Sequence, residues 1–481
     1  MTRTRFAPSP TGYLHVGGLR TALYNYLFAK KNNGKFILRI EDTDQKRKVK
    51  GAIENLIETL KWAGIIPDEG PGFNGKYGPY IQSERIPLYQ KYANILLENK
   101  NAYYCFCTPE RLETLRKAQV ARNEPPRYDN YCRSIPEAEA KKRVEAGESH
   151  VIRMKSPLHG NIVIDDLIRG KVSFVASVLD DQILVKSDGF PTYHLANVVD
   201  DHHMKITHVI RGEEWLPSTP KHILLYEYLG WEKPKFAHLP LLLNPDRSKL
   251  SKRQGDIAVE DYRKKGYLPE ALVNFLALLG WNPGSDREIF SMENLIELFS
   301  LERVNKAGAV FNLEKLKWMN GYYIRNMPVE KLIEYSKEFV PESYLQDVEK
   351  LKKVLNATKD NIHTLSEITE KAKIFYQDKV DYTTRDCLSI LKKPSSKIVI
   401  ERLINHLQKV ESIDGKTFIE IMREISKETK IKGQDLWMSV RVATTGQLHG
   451  PELVKIVDIL QKDNILKRLK DALPYTNSKN Y

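Results

Sequence analysis

The residues best suited to chemistry near the amino terminus lie in a loop that precedes a helix. Residues 5–18 include two prolines and three glycines, and apolar residues at helical spacing follow from 19 to 31. A helix amino terminus favours anions through its unpaired N–H groups and its dipole. Gly17 and Gly18 would admit a phosphate to the backbone, and His15 would donate to it. The pattern predicts a phosphate site. An ordinary surface turn is the alternative, because neither a P-loop nor a dinucleotide fingerprint is present.

A second motif, Lys-Leu-Ser-Lys-Arg at residues 249–253, lies far downstream. With His-Val-Gly-Gly at 15–18 it resembles the two signatures of class I aminoacyl-tRNA synthetases, and Ala-Pro-Ser-Pro-Thr-Gly at 7–12 is similar to the glutamyl and glutaminyl branch. Glycine at 18 replaces the last histidine of the first signature, so more of the inferred role falls on the histidine at 15. The resemblance implies an ATP site formed by His15, Gly17, Gly18, Lys249, Ser251 and Lys252. It makes His15, Lys249 and Lys252 the catalytic donors.

Charged side chains at predicted strand ends suit an amino-acid ligand. Arg211 follows an apolar strand predicted at 206–210, where a guanidinium can hold a carboxylate with two hydrogen bonds. In the family, positions matching Arg5, Ala7, Ser9, Glu41, Tyr193, Asn197 and Arg211 surround the bound glutamate. The resemblance implies that Arg5 and Arg211 meet its side-chain carboxylate as unpaired cations, and that Glu41 meets its ammonium group. Taken singly, each residue could equally be a surface arginine, a cap acid or a core tyrosine.

Three of the four cysteines are crowded into residues 105–132. The spacing of Cys105, Cys107 and Cys132 would bring three thiols together for a soft tetrahedral metal, one ligand short, and three buried inert cysteines are the alternative. The family resemblance supplies Tyr128 as the fourth ligand of a structural Zn²⁺ site. Cys387 stands apart and is expected in a core. A disulfide framework is not expected in a chain of this length without a signal peptide.

The composition limits the class of protein. Lysine and arginine exceed acidic residues by 75 to 62, giving a net charge of +13. That excess suits a polyanion such as RNA, and a solvated basic surface is the alternative. The sequence has no apolar run of the eighteen residues that a membrane span needs. We therefore expect a cytoplasmic protein, acting as a monomer, without a membrane partner.

The elements that position these residues alternate between strands and helices at first and are helical later. Strand, helix, strand, helix, helix over the first hundred residues predicts a parallel sheet with covered faces, and residues 136–187 look strand-like. We predict an α/β Rossmann-type catalytic domain with an inserted acceptor-binding domain, followed by all-α anticodon-binding domains. The expected domains are 1–104 and 188–254 (catalytic), 105–187 (insertion), 255–326 (helical connector) and 327–481 (anticodon-binding).

The resemblance implies a glutamate–tRNA ligase. Its partners would be ATP, L-glutamate and tRNA(Glu), with Mg²⁺ held largely by the ATP phosphates. The helical carboxyl-terminal half disfavours a glutaminyl enzyme, which usually ends in β-barrels. Two alternatives stay open: an enzyme that also charges tRNA(Gln) with glutamate, and a non-catalytic RNA-binding relative.

Overall fold

The computed structural model describes residues 1–250 and 258–477 and divides the chain into two compact units. The first consists of Met1–Tyr262 and Leu272–Leu313, and the second of Arg263–Ala271 and Glu314–Tyr481. No helix within the described residues is long and apolar enough to cross a membrane.

The strands lie in the first unit. They are β1 (Arg3–Phe6), β2 (Lys35–Leu38), β3 (Ala102–Cys105), β4 (Val151–Met154), β5 (Asn161–Asp166), β6 (Gly170–Val175), β7 (Ile183–Val185), β8 (His208–Gly212), β9 (Lys235–Leu239), β10 (Leu242–Leu243) and β11 (Ala309–Val310). The strand predicted at 206–210 therefore begins and ends two residues later, and β9 was not predicted.

Parallel pairing dominates the sheet that carries the site. β1 pairs in parallel with β2, and β9 pairs in parallel with both β8 and β5. The N–H of Thr207, just before β8, donates to Arg3 O at 3.0 Å, which brings β8 beside β1. These pairs confirm the predicted parallel sheet. The carboxyl ends of its strands gather at one edge, where ligands bind in open α/β sheets.

Helices cover this sheet and continue along the chain. The first eleven are α1 (Val16–Lys31), α2 (Ala52–Trp62), α3 (Ile86–Glu98), α4 (Pro109–Ala121), α5 (Glu137–Glu145), α6 (Tyr193–His203), α7 (Thr219–Tyr228), α8 (Val259–Lys264), α9 (Pro269–Leu278), α10 (Met292–Leu298) and α11 (Leu313–Asn326). One buried cluster joins Tyr89 of α3, Leu195 of α6 and Leu225 of α7 to Ile37 of β2. Apolar residues of α3, α7 and β2 thus fix the position of α6, which carries two of the predicted ligand-binding side chains.

The inserted segment is less strand-rich than the sequence predicted. β3, β4 and β7 form an antiparallel sheet, and β5 and β6 form an antiparallel hairpin. Residues 137–145 are helix α5 rather than strand. The strand-like prediction for 136–187 is wrong there because Glu137 and Glu139 occupy the first turn and Lys142 and Arg143 the last, a charge order that favours a helix.

The second unit contains only helices and turns among its described residues. After α11 come α12 (Val329–Ser336), α13 (Glu342–Leu345), α14 (Val348–Thr358), α15 (Ile368–Tyr376), α16 (Arg385–Leu391), α17 (Pro394–Leu407), α18 (Gly415–Thr429), α19 (Gly433–Thr445) and α20 (Leu453–Ala472). Side-chain caps start several of them: Thr384 accepts from the N–H of Cys387, and Asp414 from that of Thr417. Cys387 is a buried core residue, as predicted. The all-helical carboxyl-terminal half is confirmed.

Candidate active site

The carboxyl ends of β1, β2 and β8 open into a cleft of about 980 Å³ within the first unit. The cleft is lined by every predicted ATP- or glutamate-binding residue that the structure describes: Arg5, Ala7, Ser9, His15, Gly17, Gly18, Glu41, Tyr193, Asn197, Arg211 and Lys249. The predicted Ser251 and Lys252 lie outside the described residues. Segments separated by some two hundred residues in sequence therefore contribute to one cavity.

The amino terminus of α1 forms one wall of this cleft. His15 is its N-cap, and its Nδ1 accepts a hydrogen bond from the N–H of Gly18 at 3.2 Å. With Nδ1 used as an acceptor, the proton of the neutral ring resides on Nε2. The imidazole therefore accepts a hydrogen bond from one terminal N–H of the helix, and its Nε2–H group is a hydrogen-bond donor.

The two glycines of this turn also have a packing role, beside the ligand-binding role that the sequence predicts. A Cβ at Gly18 would approach Leu14 Cδ1 to 2.7 Å, and one at Gly17 would approach the His15 ring to 3.0 Å. The nearest heavy atoms to a Cβ at either position thus belong to neighbouring side chains. Glycine at 18 allows Leu14 to pack beneath the turn, and glycine at 17 allows the imidazole to fold over the helix terminus.

Arg211 is a buried guanidinium in β8 with 5% of its surface exposed. Its Nε donates to His238 Nε2 at 3.1 Å, Nη1 to Tyr193 Oη at 2.9 Å, and Nη2 to Thr219 Oγ1 at 2.8 Å. Nη1 also lies 3.3 Å from His222 Nδ1. Among the described residues no carboxylate pairs with Arg211, so its positive charge is surrounded by neutral acceptors at the cleft wall.

The imidazoles behind Arg211 are held neutral. Burial, followed by the charge of Arg211, lowers the pKa of His222 well below its usual value. Burial also lowers the pKa of His238, against the opposing effect of its hydrogen bond to Asp166. Two neutral rings can therefore accept hydrogen bonds from Arg211 without adding a repelling charge. Neither histidine is predicted from the sequence, since no local pattern connects them to residue 211.

Arg5 does not stand unpaired, which corrects the expectation from the sequence. Its Nε lies 3.2 Å from Asp201 Oδ1, and Arg39 Nη1 lies 2.6 Å from the same oxygen. Arg39 also contacts Glu41 Oε1 at 2.9 Å, and Asn197 Oδ1 accepts from both arginines. Buried arginines and carboxylates thus form a network of which Arg5 and Glu41 line the cleft, while Arg39 and Asp201 lie behind them.

The protonation of this network follows from its charges. Desolvation would raise the pKa of Asp201, but Arg5 and Arg39 outweigh it and hold that pKa below the ordinary value. Burial raises the pKa of Glu41, with Arg39 acting against it. Arg39 and Asp201 were also missed from the sequence. A faint signal existed, because Asp201 follows Asn197 by one helical turn on α6 and so shares its face.

Three thiols converge at the end of β3, as their spacing predicted. The sulfur atoms of Cys105, Cys107 and Cys132 all lie within 4.8 Å of one another. Tyr128 Oη lies 3.4 Å from Cys105 Sγ and 3.5 Å from Cys107 Sγ. Ligand atoms around a tetrahedral zinc with Zn–S bonds of about 2.3 Å are separated by roughly 3.8 Å, so this donor set fits that metal.

Family models match both halves of the chain. Residues 1–318 match the catalytic domain of tRNA synthetases class I (E and Q), and residues 329–473 match an anticodon binding domain. Glutamate–tRNA ligase of Alkaliphilus metalliredigens is 48% identical, covering 97% of this chain and 98% of the relative. That of Finegoldia magna is 49% identical, covering 98% and 99%.

A solved structure is similar over the whole length. A glutamate tRNA ligase from Elizabethkingia meningosepticum, crystallised in complex with its amino acid, aligns with a TM-score of 0.91 and 39% identity. The alignment covers 99% of this chain and 100% of that one.

Proposed function

Since the chain belongs to the class I tRNA synthetases (E and Q), we propose that it is a glutamate–tRNA ligase. It uses ATP to convert L-glutamate into glutamyl-adenylate and pyrophosphate, and transfers the glutamyl group to the 3′ end of tRNA(Glu). Full-length relatives that carry this name support the proposal.

The observation that carries the choice of amino acid is Arg211. A buried guanidinium without a carboxylate partner among the described residues favours an anionic ligand at the cleft wall. The side-chain carboxylate of glutamate supplies that anion. Tyr193 lies beside the Arg211 guanidinium, where its hydroxyl can contact the same carboxylate. Glu41, in the same cleft, provides a negative charge for the ammonium group of the ligand.

The first chemical step requires positioning and charge stabilisation rather than a covalent intermediate with the protein. The α-carboxylate of glutamate attacks the α-phosphorus of ATP, and negative charge accumulates on the phosphate oxygens as pyrophosphate leaves. His15 donates through Nε2, and the α1 terminus and Lys249 add positive potential on the same side of the cleft. We assign Ser251 and Lys252 to the same role from their motif alone. Mg²⁺, bound mainly by the phosphates, neutralises part of their charge.

In the second step the terminal ribose hydroxyl of the tRNA attacks the carbonyl carbon of the adenylate. The new ester forms as the bond to the phosphate breaks, AMP leaves, and the hydroxyl proton is lost to solvent. The inserted segment 105–187 is proposed to hold the acceptor end, and the helical region 327–481 to hold the anticodon arm. The match of residues 329–473 to an anticodon binding domain supports the latter assignment.

We also propose one structural zinc ion on Cys105, Cys107, Tyr128 and Cys132. It would tie the end of β3 to the turn at 128–132, where the backbone N–H of Cys132 already donates to Tyr128 Oη at 2.9 Å. Thiolates are strong zinc ligands, and a fully protein-ligated site stabilises a fold without entering the reaction.

Charging assays with purified glutamate and glutamine tRNAs, side by side, test the proposal. We expect glutamate to be attached to tRNA(Glu), and ATP–pyrophosphate exchange to be near background until that tRNA is added, because docking of the acceptor end completes the site. Charging of both tRNAs with glutamate would identify the less selective enzyme. Absence of any charging and exchange with tRNA present would contradict the proposed function.

A further inference from the structure

A buried aspartate–histidine pair lies directly behind Arg211. Asp166 ends β5 and His238 lies in β9; their exposed fractions are 4% and 0%. His238 Nδ1 is 2.6 Å from Asp166 Oδ2, and His238 Nε2 is the acceptor for Arg211 Nε at 3.1 Å. The three side chains therefore form a line from the middle of the sheet to the cleft wall.

The direction of each hydrogen bond in this line is fixed. An arginine Nε–H only donates, so His238 Nε2 must be unprotonated to accept from Arg211. The single proton of the neutral ring then resides on Nδ1 and is donated to Asp166 Oδ2. Asp166 thus selects the tautomer of His238 that Arg211 requires.

The two oxygens of Asp166 have separate partners. Oδ1 accepts only from backbone N–H groups: those of Ile168 at 3.0 Å and Arg169 at 2.8 Å, which fix the turn after β5, and that of His238 at 3.3 Å. Oδ2 bonds the imidazole. An asparagine can keep the hydrogen bonds of Oδ1 to the backbone, but it must lose the bond that Oδ2 accepts from the imidazole. The role of Asp166 in the turn can therefore be separated from its effect on His238.

We propose that Asp166 and His238 are positioning residues that hold the Arg211 guanidinium in the plane needed for two-pronged pairing with the ligand, and so set the preference for glutamate over glutamine. The inference rests on the proposed function. Two-pronged pairing tolerates little rotation, because both N–H groups must point at the two oxygens of one carboxylate. Nη1 and Nη2 keep their bonds to Tyr193 and Thr219, but without an acceptor at Nε the guanidinium loses the hydrogen bond that fixes the third corner of its plane.

The decisive variant is Asp166→Asn, with its amide oxygen in the place of Oδ1. The amide N–H₂ then faces His238 Nδ1, which moves the ring proton to Nε2 and sets two donors against each other at Arg211 Nε. We expect the KM for glutamate to rise and the glutamate-to-glutamine ratio of kcat/KM to fall on the order of tenfold or more, with the KM for ATP unchanged.

His238→Gln provides the test of the tautomer argument. Its side-chain oxygen can stand near the place of Nε2 and accept from Arg211 whatever residue 166 is. We expect the single variant to keep most of the selectivity, and the double variant Asp166→Asn/His238→Gln to resemble it rather than show the sum of two effects. Additive effects would overturn the tautomer mechanism.

Asp181→Asn is the matched control. Asp181 is an equally buried aspartate that bonds Tyr103, Arg133 and the backbone N–H of Ser156, and it does not line the cleft. Its variant should lose stability and keep the selectivity ratio. If Asp166→Asn does not fold, His238→Phe removes the acceptor for Arg211 without adding a donor, and the same fall in the ratio is expected.

The outcomes separate the two claims. Failure of the unaltered protein to charge tRNA(Glu) with glutamate refutes the proposed function itself. Normal charging by the unaltered protein, combined with an unchanged ratio and KM in folded Asp166→Asn or His238→Phe, refutes the positioning role alone.

Discussion

Replacing Arg211 should reduce amino-acid selectivity more than it reduces ATP binding. Arg211 is a buried guanidinium of the cleft with no carboxylate partner among the described residues, whereas Arg5 shares Asp201 with Arg39. Glutamate can neutralise the Arg211 charge, but glutamine offers only one amide oxygen and leaves the guanidinium unpaired. The preference for glutamate over glutamine should therefore depend more on Arg211 than on any other side chain of the cleft.

The size of the effect follows from the hydrogen bonds to glutamate that the substitution removes. Hydrogen bonds to a charged group contribute about 3 kcal/mol at the upper end, which corresponds to roughly a hundredfold in kcat/KM. We expect Arg211→Ala to lower kcat/KM for glutamate by about that factor while changing that for glutamine little. Arg211→Lys should recover only part of the activity, because an ammonium group cannot pair with both oxygens in fixed geometry.

The assay is tRNA charging with glutamate or glutamine, and the measured quantity is the ratio of the two kcat/KM values. Removal of Arg211 also takes a hydrogen-bond donor from His238 and Tyr193, so thermal unfolding must show that each variant is folded. Arg468→Ala is the matched control: Arg468 is a buried arginine of the helical unit that bonds the backbone oxygens of Thr444 and Gln377. An unchanged ratio in both folded Arg211 variants would refute the reasoning.

Three further predictions concern the metal, the phosphates and the pH dependence of stability. Cys107→Ser should lose zinc by metal analysis and weaken tRNA binding more than glutamate binding; protein purified without chelator that contains no zinc would exclude the site. Lys249→Ala should slow single-turnover adenylate formation by about a hundredfold with little change in ATP affinity, since its interaction strengthens as phosphate charge develops; a raised Kd with an unchanged rate would show that it only binds ATP. His202 is stacked on Trp231, and its burial, with the nearby charge of Lys205, lowers its pKa to about 4. As the pH falls below 6.5, this histidine therefore becomes protonated in the unfolded chain before it does in the folded protein. His202 therefore contributes less to stability at pH 5 than at pH 7.5. The unfolding free energy of the parent minus that of His202→Phe should fall from pH 7.5 to pH 5, and a constant difference would disprove the prediction.

Features that depend on neighbours in the chain could be predicted from the sequence. Apolar spacing identified α1 and the helices of the carboxyl-terminal half, and the spacing of Cys105, Cys107 and Cys132 identified a thiol cluster. The two motifs also predicted that His15 and Lys249 share a site, and both residues line the same cleft. Periodicity and spacing are local properties, because residues a few positions apart have fixed relative directions in a helix or turn.

Charge pairing was decided only by the tertiary structure. Arg39 meets Asp201 across 162 residues, and His238 meets Asp166 across 72. The His238 contact arises because β5 and β9 lie side by side in the sheet, and the Arg39 contact because α6 packs against β2. Nothing in the local pattern fixes either arrangement. Arg5 is therefore neutralised by a partner that the sequence did not indicate, while Arg211, with the same side chain and an equally buried position, keeps its charge for a ligand.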